Sequence, residues 1–302
     1  MLADWIAVDW GTTHLRAWAM SAAGEVQATA ASDAGMNGLS RDGFEPALLD
    51  LVGGWLAEGR QTPVIACGMV GARQGWAEAP YRAVPCTPLD AGAMIAAPCS
   101  DPRLSVRLIA GLSQASPADV MRGEETQIAG LLAARPDFDG VLCLPGTHSK
   151  WARISAGEVV SFQTFMTGEL FALLAEQSVL RHSVAAAGWD DDAFAEALSD
   201  AISRPDRIGA RLFTLRAEAL LSGLAPEAAR ARLSGALIGV ELAAARPYWL
   251  GQDIAVIGAA GIAGTYVAAL TAQGALPQQY DGDEMTRAGL TAAHAQRKGA
   301  SQ

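Results

Sequence analysis

The sequence predicts an α/β fold in two lobes, on three observations. The chain has 302 residues, and at roughly 100–200 residues per domain that length suits two units. Hydrophobic residues make up 51% of it, enough to bury a sizeable core. Each half opens in the same way, with an apolar strand, a short polar turn and a second strand, and helical segments follow.

The elements read in order as follows. Residues 4–10 form a buried strand, and 15–21 and 25–31 form two more around the turn Ala22-Ala23-Gly24. Residues 43–58 carry Phe44, Leu48, Leu51, Val52 and Leu56 at helical spacing and stop near Gly59. A short strand at 63–68 leads into 69–102, a long irregular stretch rich in Gly, Pro and aromatics. One strand covers 105–112, a helix runs from Gly123 to Pro136, and 140–146 is a buried strand. A hairpin turns at Ala156-Gly157, and helices cover 168–182, 190–202, 206–222 and 226–246. The strand and turn 253–261, a helix at 264–273, an extended piece at 275–280 and a helix at 283–295 close the chain, with a frayed polar tail that holds Lys298.

Bulk properties exclude several classes. A net charge of −10 opposes a nucleic acid or an anionic membrane as main partner, because both select basic surfaces. No apolar run reaches the roughly 18 residues that a spanning helix needs. The opening "MLADW" has no basic and apolar leader, so a cytoplasmic location is expected. Cys67, Cys86, Cys99 and Cys143 form no C-x-x-C pair and read as reduced structural thiols.

Chemistry concentrates in three glycine turns and one acidic helix start. In Asp9-x-Gly11-Thr12-Thr13, the glycine admits a close backbone approach and the threonines offer donors to phosphate oxygens. Asp9, at the strand end, suits a water-mediated grip on Mg²⁺. A second turn, Gly146-Thr147-His148-Ser149, offers similar donors and is followed by Lys150, the one lysine expected in the ordered chain. Two such turns brought face to face would clamp a polyphosphate. The third turn, Gly258 to Gly264 with Gly261 at its centre, has the spacing G-x-x-G-x-x-G. Too little chain follows it for a dinucleotide domain, so a flat surface for a base or ribose is the better reading. At Gly123-Glu124-Glu125, a carboxylate precedes an apolar helix and can accept the proton of a phosphoryl acceptor. No Walker A loop occurs.

In this order the motifs resemble the actin-like ATPase superfamily that includes hexokinases, glycerol kinase and hsp70. Its first phosphate motif is matched by Asp9, Gly11, Thr12, Thr13 and Arg16. More narrowly, "VDWGTTHLRAW", "CGMVGARQGWAEAPY", "DVMRGEETQIAG", "LPGTHSKWARI" and "TFMTGELFALL" resemble the 2-dehydro-3-deoxygalactonokinase family. The helix start departs from the superfamily, with two glutamates where an aspartate is usual.

The resemblance implies a two-lobed actin-like ATPase (ribonuclease H-like) fold, with mixed sheets flanked by helices and a central cleft. Residues 1–122 would form the lobe of the first phosphate turn and the sugar acid, and 123–302 that of the second turn and adenosine. The implied activity is ATP-dependent phosphorylation of the C6 hydroxyl of 2-dehydro-3-deoxy-D-galactonate in D-galactonate breakdown, with Mg²⁺ as metal. Gly11, Thr12, Thr13, Gly146, Thr147 and His148 would meet the phosphates, and Gly258 and Gly261 the adenosine. Asp9 would orient the metal, Glu125 or Glu124 would act as base, and Lys150 or nearby N–H groups would neutralise the transferred group. Asn37, Met69 and the stretch 68–82 would border the sugar acid, with Arg73, Arg82 or Arg16 on its carboxylate and Trp76 and Tyr81 along its carbon chain. A homodimer is left open. A kinase for another sugar acid or amino sugar, and a nucleotide switch of the actin or hsp70 kind, are the rival readings.

Overall fold

A computed structural model describes residues 2–300. The chain divides into two compact units: one joins the chain up to 138 with 154–161 and the segment from 282 onward, the other joins 139–153 with 162–281. This division runs differently from a single cut between 122 and 123.

The first unit begins with β1 (Trp5–Trp10), β2 (Leu15–Met20) and β3 (Val26–Ser32), then α1 (Phe44–Val52) and β4 (Thr62–Gly68). Next come β5 (Tyr81–Ala83), β6 (Ile95–Ala96), β7 (Leu104–Leu108), β8 (Gly111–Ala115), β9 (Ala118–Met121) and α2 (Glu124–Ala134). Six strands form one sheet in the order β3-β2-β1-β4-β7-β6. β1 pairs antiparallel with β2 and parallel with β4, so the sheet is mixed. α1 places Phe44, Leu48 and Val52 in the core with Trp10, Leu15 and Val64. The apolar pattern expected to 58 breaks earlier, because Gly53 and Gly54 turn the chain into a 3-10 segment, Gly53–Trp55.

The second unit contains β10 (Gly140–Leu144), β11 (Ser149–Ser155) up to Arg153, β12 (Glu158–Phe165) from Phe162, α3 (Thr167–Glu176), α4 (Asp191–Ser203), α5 (Ile208–Leu221), α6 (Pro226–Ala244) and α7 (Arg246–Trp249); the hairpin 154–161 belongs to the first. β13 (Ile254–Gly258), α8 (Ala260–Thr271) and β14 (Gln278–Asp281) follow, and α9 (Gly282–Ala300) returns to the first unit. The second sheet runs β12-β11-β10-β13-β14. Leaving out β6, that repeats the first sheet's plan: three successive strands, then two further strands on the side of the first. β13 is parallel to both β10 and β14. This duplicated order places each polar turn at the bend between a unit's first and second strands.

Three expectations are corrected. The apolar run at 105–112 is two strands, β7 and β8, broken at Ile109-Ala110. β8 then pairs with β9 in a separate sheet, β5-β8-β9. The helix expected at 168–182 ends at Glu176, and Val179–His182 is a 3-10 turn. Lys298 belongs to α9 rather than to a frayed tail.

On the other face of the first sheet, α9 lies along α2. A Cβ on Gly130 would overlap the Met285 backbone, and one on Gly289 would overlap Thr126, so both helices approach backbone to backbone. Trp5, Ala7, Ile65, Cys67 and Leu290 fill the space beneath. This close crossing fixes where the first turn of α9 lies.

Candidate active site

In the first unit, β1 delivers Asp9 opposite Arg16 on β2 and Cys67 on β4. Arg16 Nη2 donates to Asp9 Oδ2 at 2.5 Å, and Arg16 Nη1 donates to Asp283 in the first turn of α9. Cys67 Sγ lies 3.8 Å from Asp9 Oδ1. Burial pushes the Asp9 carboxyl above its usual range, while Arg16 opposes that shift. Thr12 and Thr13 are exposed at the bend. The Gly11 carbonyl accepts from Met36 N (3.1 Å), and the Thr12 carbonyl accepts from Asn37 N (3.0 Å). A Cβ on Gly35 would collide with the Thr13 backbone, so the loop at 35–37 holds the turn directly. Asp9, Gly11, Thr13 and Arg16 line a cavity of about 460 Å³.

β4 ends at Gly68, whose φ is +87°. A side chain there would be strained, and its Cβ would sit 2.7 Å from the Trp10 carbonyl. Gly123 (φ +108°) packs against it and starts α2. The Gly123 N–H donates to both oxygens of Glu125, at 2.9 and 2.7 Å, and Thr126 Oγ1 donates at 3.2 Å. Glu125 is fully buried. Burial, then the charge of Glu124, raises its pKa to about 8. Glu124 is half-buried and accepts from Arg122 N at 3.0 Å. Burial, then the charges of Asp9 and Glu125, pushes the Cys67 thiol up.

The region expected to bind the sugar acid is mixed. Met69 is half-buried, Asn37 and Tyr81 are exposed, and Arg73 is exposed with its carbonyl accepting from Arg41. Arg82 is held by the Thr87 carbonyl at 2.6 Å and faces Asp90 at 3.6 Å. Trp76 is corrected: it is a core residue, stacked on Phe44 at 6.2 Å and edge-on to Trp10 at 6.1 Å, so its faces are spent inside the unit.

In the second unit, Gly146, Thr147 and His148 are exposed between β10 and β11. α3 seats this turn. The Glu169 N–H donates to the Thr147 carbonyl at 2.9 Å, and His148 Nε2 lies 2.6 Å from Glu169 Oε2. A Cβ on Gly168 would overlap the Gly146 carbonyl and sit 3.0 Å from Thr147 Cα. Lys150 follows in β11 and is buried. Beneath the turn, the buried Glu241 carboxyl accepts from Trp151 Nε1 and Tyr266 Oη, each at 2.7 Å, and from Thr167. Tyr266 Oη is 2.9 Å from Ser149 Oγ. This network ties β11, α3, α6 and α8 together around a cavity of about 410 Å³, lined in part by Gly146, Gly168, Arg230, Gly261 and Thr265. That volume suits a small-molecule site. Gly258 closes β13 and is buried, whereas Gly261 is exposed in the first turn of α8.

Local reading of the sequence missed Asp283, Cys67, Arg122 and Glu241. Gly168 was within reach, because it lies in the quoted stretch "TFMTGELFALL".

The duplicated sheet order, with a polar turn after each unit's first strand, is that of the actin-like fold. A similar chain from Acidaminococcus fermentans, (R)-2-hydroxyglutaryl-CoA dehydratase component A, shares that fold alone (TM-score 0.52, 14% identity, 99% of each chain covered). The chain belongs to the 2-keto-3-deoxy-galactonokinase family, which matches residues 9–293. It is 42% identical to a probable 2-dehydro-3-deoxygalactonokinase of Rhizobium meliloti, covering 95% of each protein. It is 34% identical to the 2-dehydro-3-deoxygalactonokinase of Escherichia coli, covering 98% of this chain and 99% of that one. The crystal structure of a Sinorhizobium meliloti protein provisionally named a 2-dehydro-3-deoxygalactonokinase superimposes with a TM-score of 0.89 at 40% identity, over 96% of this chain and 97% of that one.

Proposed function

We propose that this chain transfers the γ-phosphoryl group of ATP to the C6 hydroxyl of 2-dehydro-3-deoxy-D-galactonate, a step of D-galactonate breakdown. The observation that carries the reading is the buried carboxyl of Glu125 at the start of α2, in a unit whose first strand delivers Asp9, in a chain whose family match begins at Asp9 itself. No described helix is long and apolar enough to cross a membrane, and we place the enzyme in the cytoplasm.

Each residue then has a task. The exposed threonines at 12 and 13 donate to phosphate oxygens in the first unit, and the turn at 146–148 donates in the second. The 410 Å³ cavity takes the adenosine, with Gly261 leaving room at the start of α8. Lys150 or nearby N–H groups answer the charge of the transferred group. Among the described residues, no three His, Cys, Asp or Glu side chains gather as a ready-made metal cage. One carboxylate at a strand end nonetheless fits Mg²⁺, which keeps much of its water and leans on substrate phosphates. Asp9 would hold the ion, which when bound supplies positive charge to the phosphates.

Glu125 takes the proton of the acceptor hydroxyl. The hydroxyl oxygen forms the new P–O bond, the bond from the γ-phosphorus to the bridging oxygen breaks, and ADP leaves. A carboxyl with pKa about 8 is well matched to proton transfer near neutral pH, and its enclosure keeps water from using it.

The direct test is ADP release, followed by a coupled assay, with the galactonate-derived keto-deoxy acid beside its C4 epimer. Turnover that depends on the first acid and is weaker with the second is expected. Slow hydrolysis indifferent to either acid would favour the nucleotide-switch reading instead. In the second unit, Gly168→Ala should drive α3 away from the 146–148 turn, cost roughly 1–3 kcal/mol of stability and raise KM for ATP. Gly209→Ala, where the added methyl meets open space in α5, is the control: it should leave KM for ATP unchanged and not lower stability.

A further inference from the structure

Arg122 links β9 to α2 and stands three residues before Glu125. Its Nη2 donates to the Ala79 carbonyl at 2.8 Å. The guanidinium carbon lies 4.3 Å from the centre of the exposed Tyr81 ring. Gly71 presses against Nη1, so closely that a Cβ there would sit 2.9 Å away. Nε and Nη1 are buried and have no hydrogen-bond partner. Leaving cationic donors unsatisfied is costly, and such groups mark a missing partner.

Two of the three arginines expected to meet the carboxylate are committed elsewhere. Arg16 is shared between Asp9 and Asp283, and Arg82 is held by Thr87 and faces Asp90. The third, Arg73, is exposed to solvent rather than buried with unpartnered donors.

Building on the proposed function, we infer that Arg122 is the residue that binds the carboxylate of the sugar acid. A carboxylate supplies both the negative charge and the acceptor lone pairs that Nε and Nη1 lack. The orphan donors are closed off by the loop that carries Gly71 and Tyr81, so this loop yields when the acid enters. Tyr81, already exposed, is the part of that cover facing solvent. Anchoring one end of the acid three residues ahead of Glu125 also selects a substrate with a carboxylate at one end and a hydroxyl at the other.

The test compares two acceptors: 2-dehydro-3-deoxy-D-galactonate, and the 3-deoxy-2-ketohexose with a hydroxymethyl group in place of the carboxylate. In Arg122→Ala, KM for the acid should rise roughly 10- to 100-fold, the range for a lost charged hydrogen bond. The neutral acceptor should react as it does with the unmodified enzyme, and KM for ATP should hold. Guanidinium ion added to the variant should restore part of the lost activity toward the acid. Equal losses with both acceptors, or an unchanged KM for the acid, would overturn the assignment. Should Arg122→Ala fail to fold, Arg122→Lys reports instead. It keeps the charge but loses Nε and the planar fork, so the acid alone should weaken; an equal loss with both acceptors, or none, overturns the assignment here too. An unmodified enzyme inactive toward the acid overturns both the proposed function and this inference, whereas active enzyme with an indifferent Arg122 variant overturns this inference alone.

Discussion

Glu125→Gln should lower kcat by roughly 10²- to 10⁴-fold, the range for removing a general base, while raising the melting temperature at pH 8. Both effects come from one feature, the buried carboxyl whose pKa is raised to about 8. In the unfolded chain a glutamate ionises near its ordinary value of 4.5. Between that value and about 8 the folded chain therefore binds more protons than the unfolded one, and stability falls as pH rises through this window. Glutamine keeps the oxygen that accepts from Gly123 but cannot ionise, so the variant escapes the loss. Its advantage should be absent at pH 4 and fully developed above pH 8.

The same proton sets the rate. Activity should climb with pH along a limb governed by Glu125 and level off above about 8. Glu124→Gln removes the negative charge that contributes to the shift, so its limb should move to lower pH with only a modest change in the plateau. Rate measurements from pH 5 to 10 on the three proteins decide the matter. A Glu125→Gln enzyme with near-normal kcat, or a Glu124→Gln enzyme that loses as much, would assign the base to a different residue.

The parts of the site that could be read in the sequence are those made by neighbouring residues. Asp9 to Thr13 and Gly146 to Ser149 announce themselves because a strand, a tight bend and its donors occupy a few consecutive positions. What could not be read is what the fold brings from afar. Arg16 and Asp283 are 267 positions apart, and only the close crossing of α2 and α9 at Gly130 and Gly289 joins them. Trp76 misled because an aromatic in a Gly- and Pro-rich stretch carries no periodicity to show which way it faces; packing with Phe44 and Trp10 decides it. The run 105–112 hid two strands because both flanks of the bend at Ile109-Ala110 are apolar. Arg122 was invisible for a similar reason. Its significance lies in donors without partners, a property of the assembled loop and not of the letters around it.

Asp9→Ala should abolish turnover, by at least roughly 10³-fold, while the unit stays folded. The expectation separates two jobs of one carboxylate. As a structural partner Asp9 is replaceable: Arg16 retains its contact with Asp283, and Cys67 loses only a weak 3.8 Å interaction. Burial already works against the charged form, so removing it relieves some of that cost. As the strand-end carboxylate proposed to carry Mg²⁺, it is not replaced by Glu125, which is enclosed by Gly123 and Thr126, nor by Asp283, which is engaged by Arg16. Asp9→Asn keeps the shape and an acceptor oxygen but not the charge, and should fail almost as badly. Asp283→Asn should be far milder, because it touches only the outer half of Arg16. Steady-state rates across a Mg²⁺ titration, read beside circular dichroism melts, distinguish these cases. A folded Asp9→Ala enzyme with close to normal activity would remove the metal role from this residue.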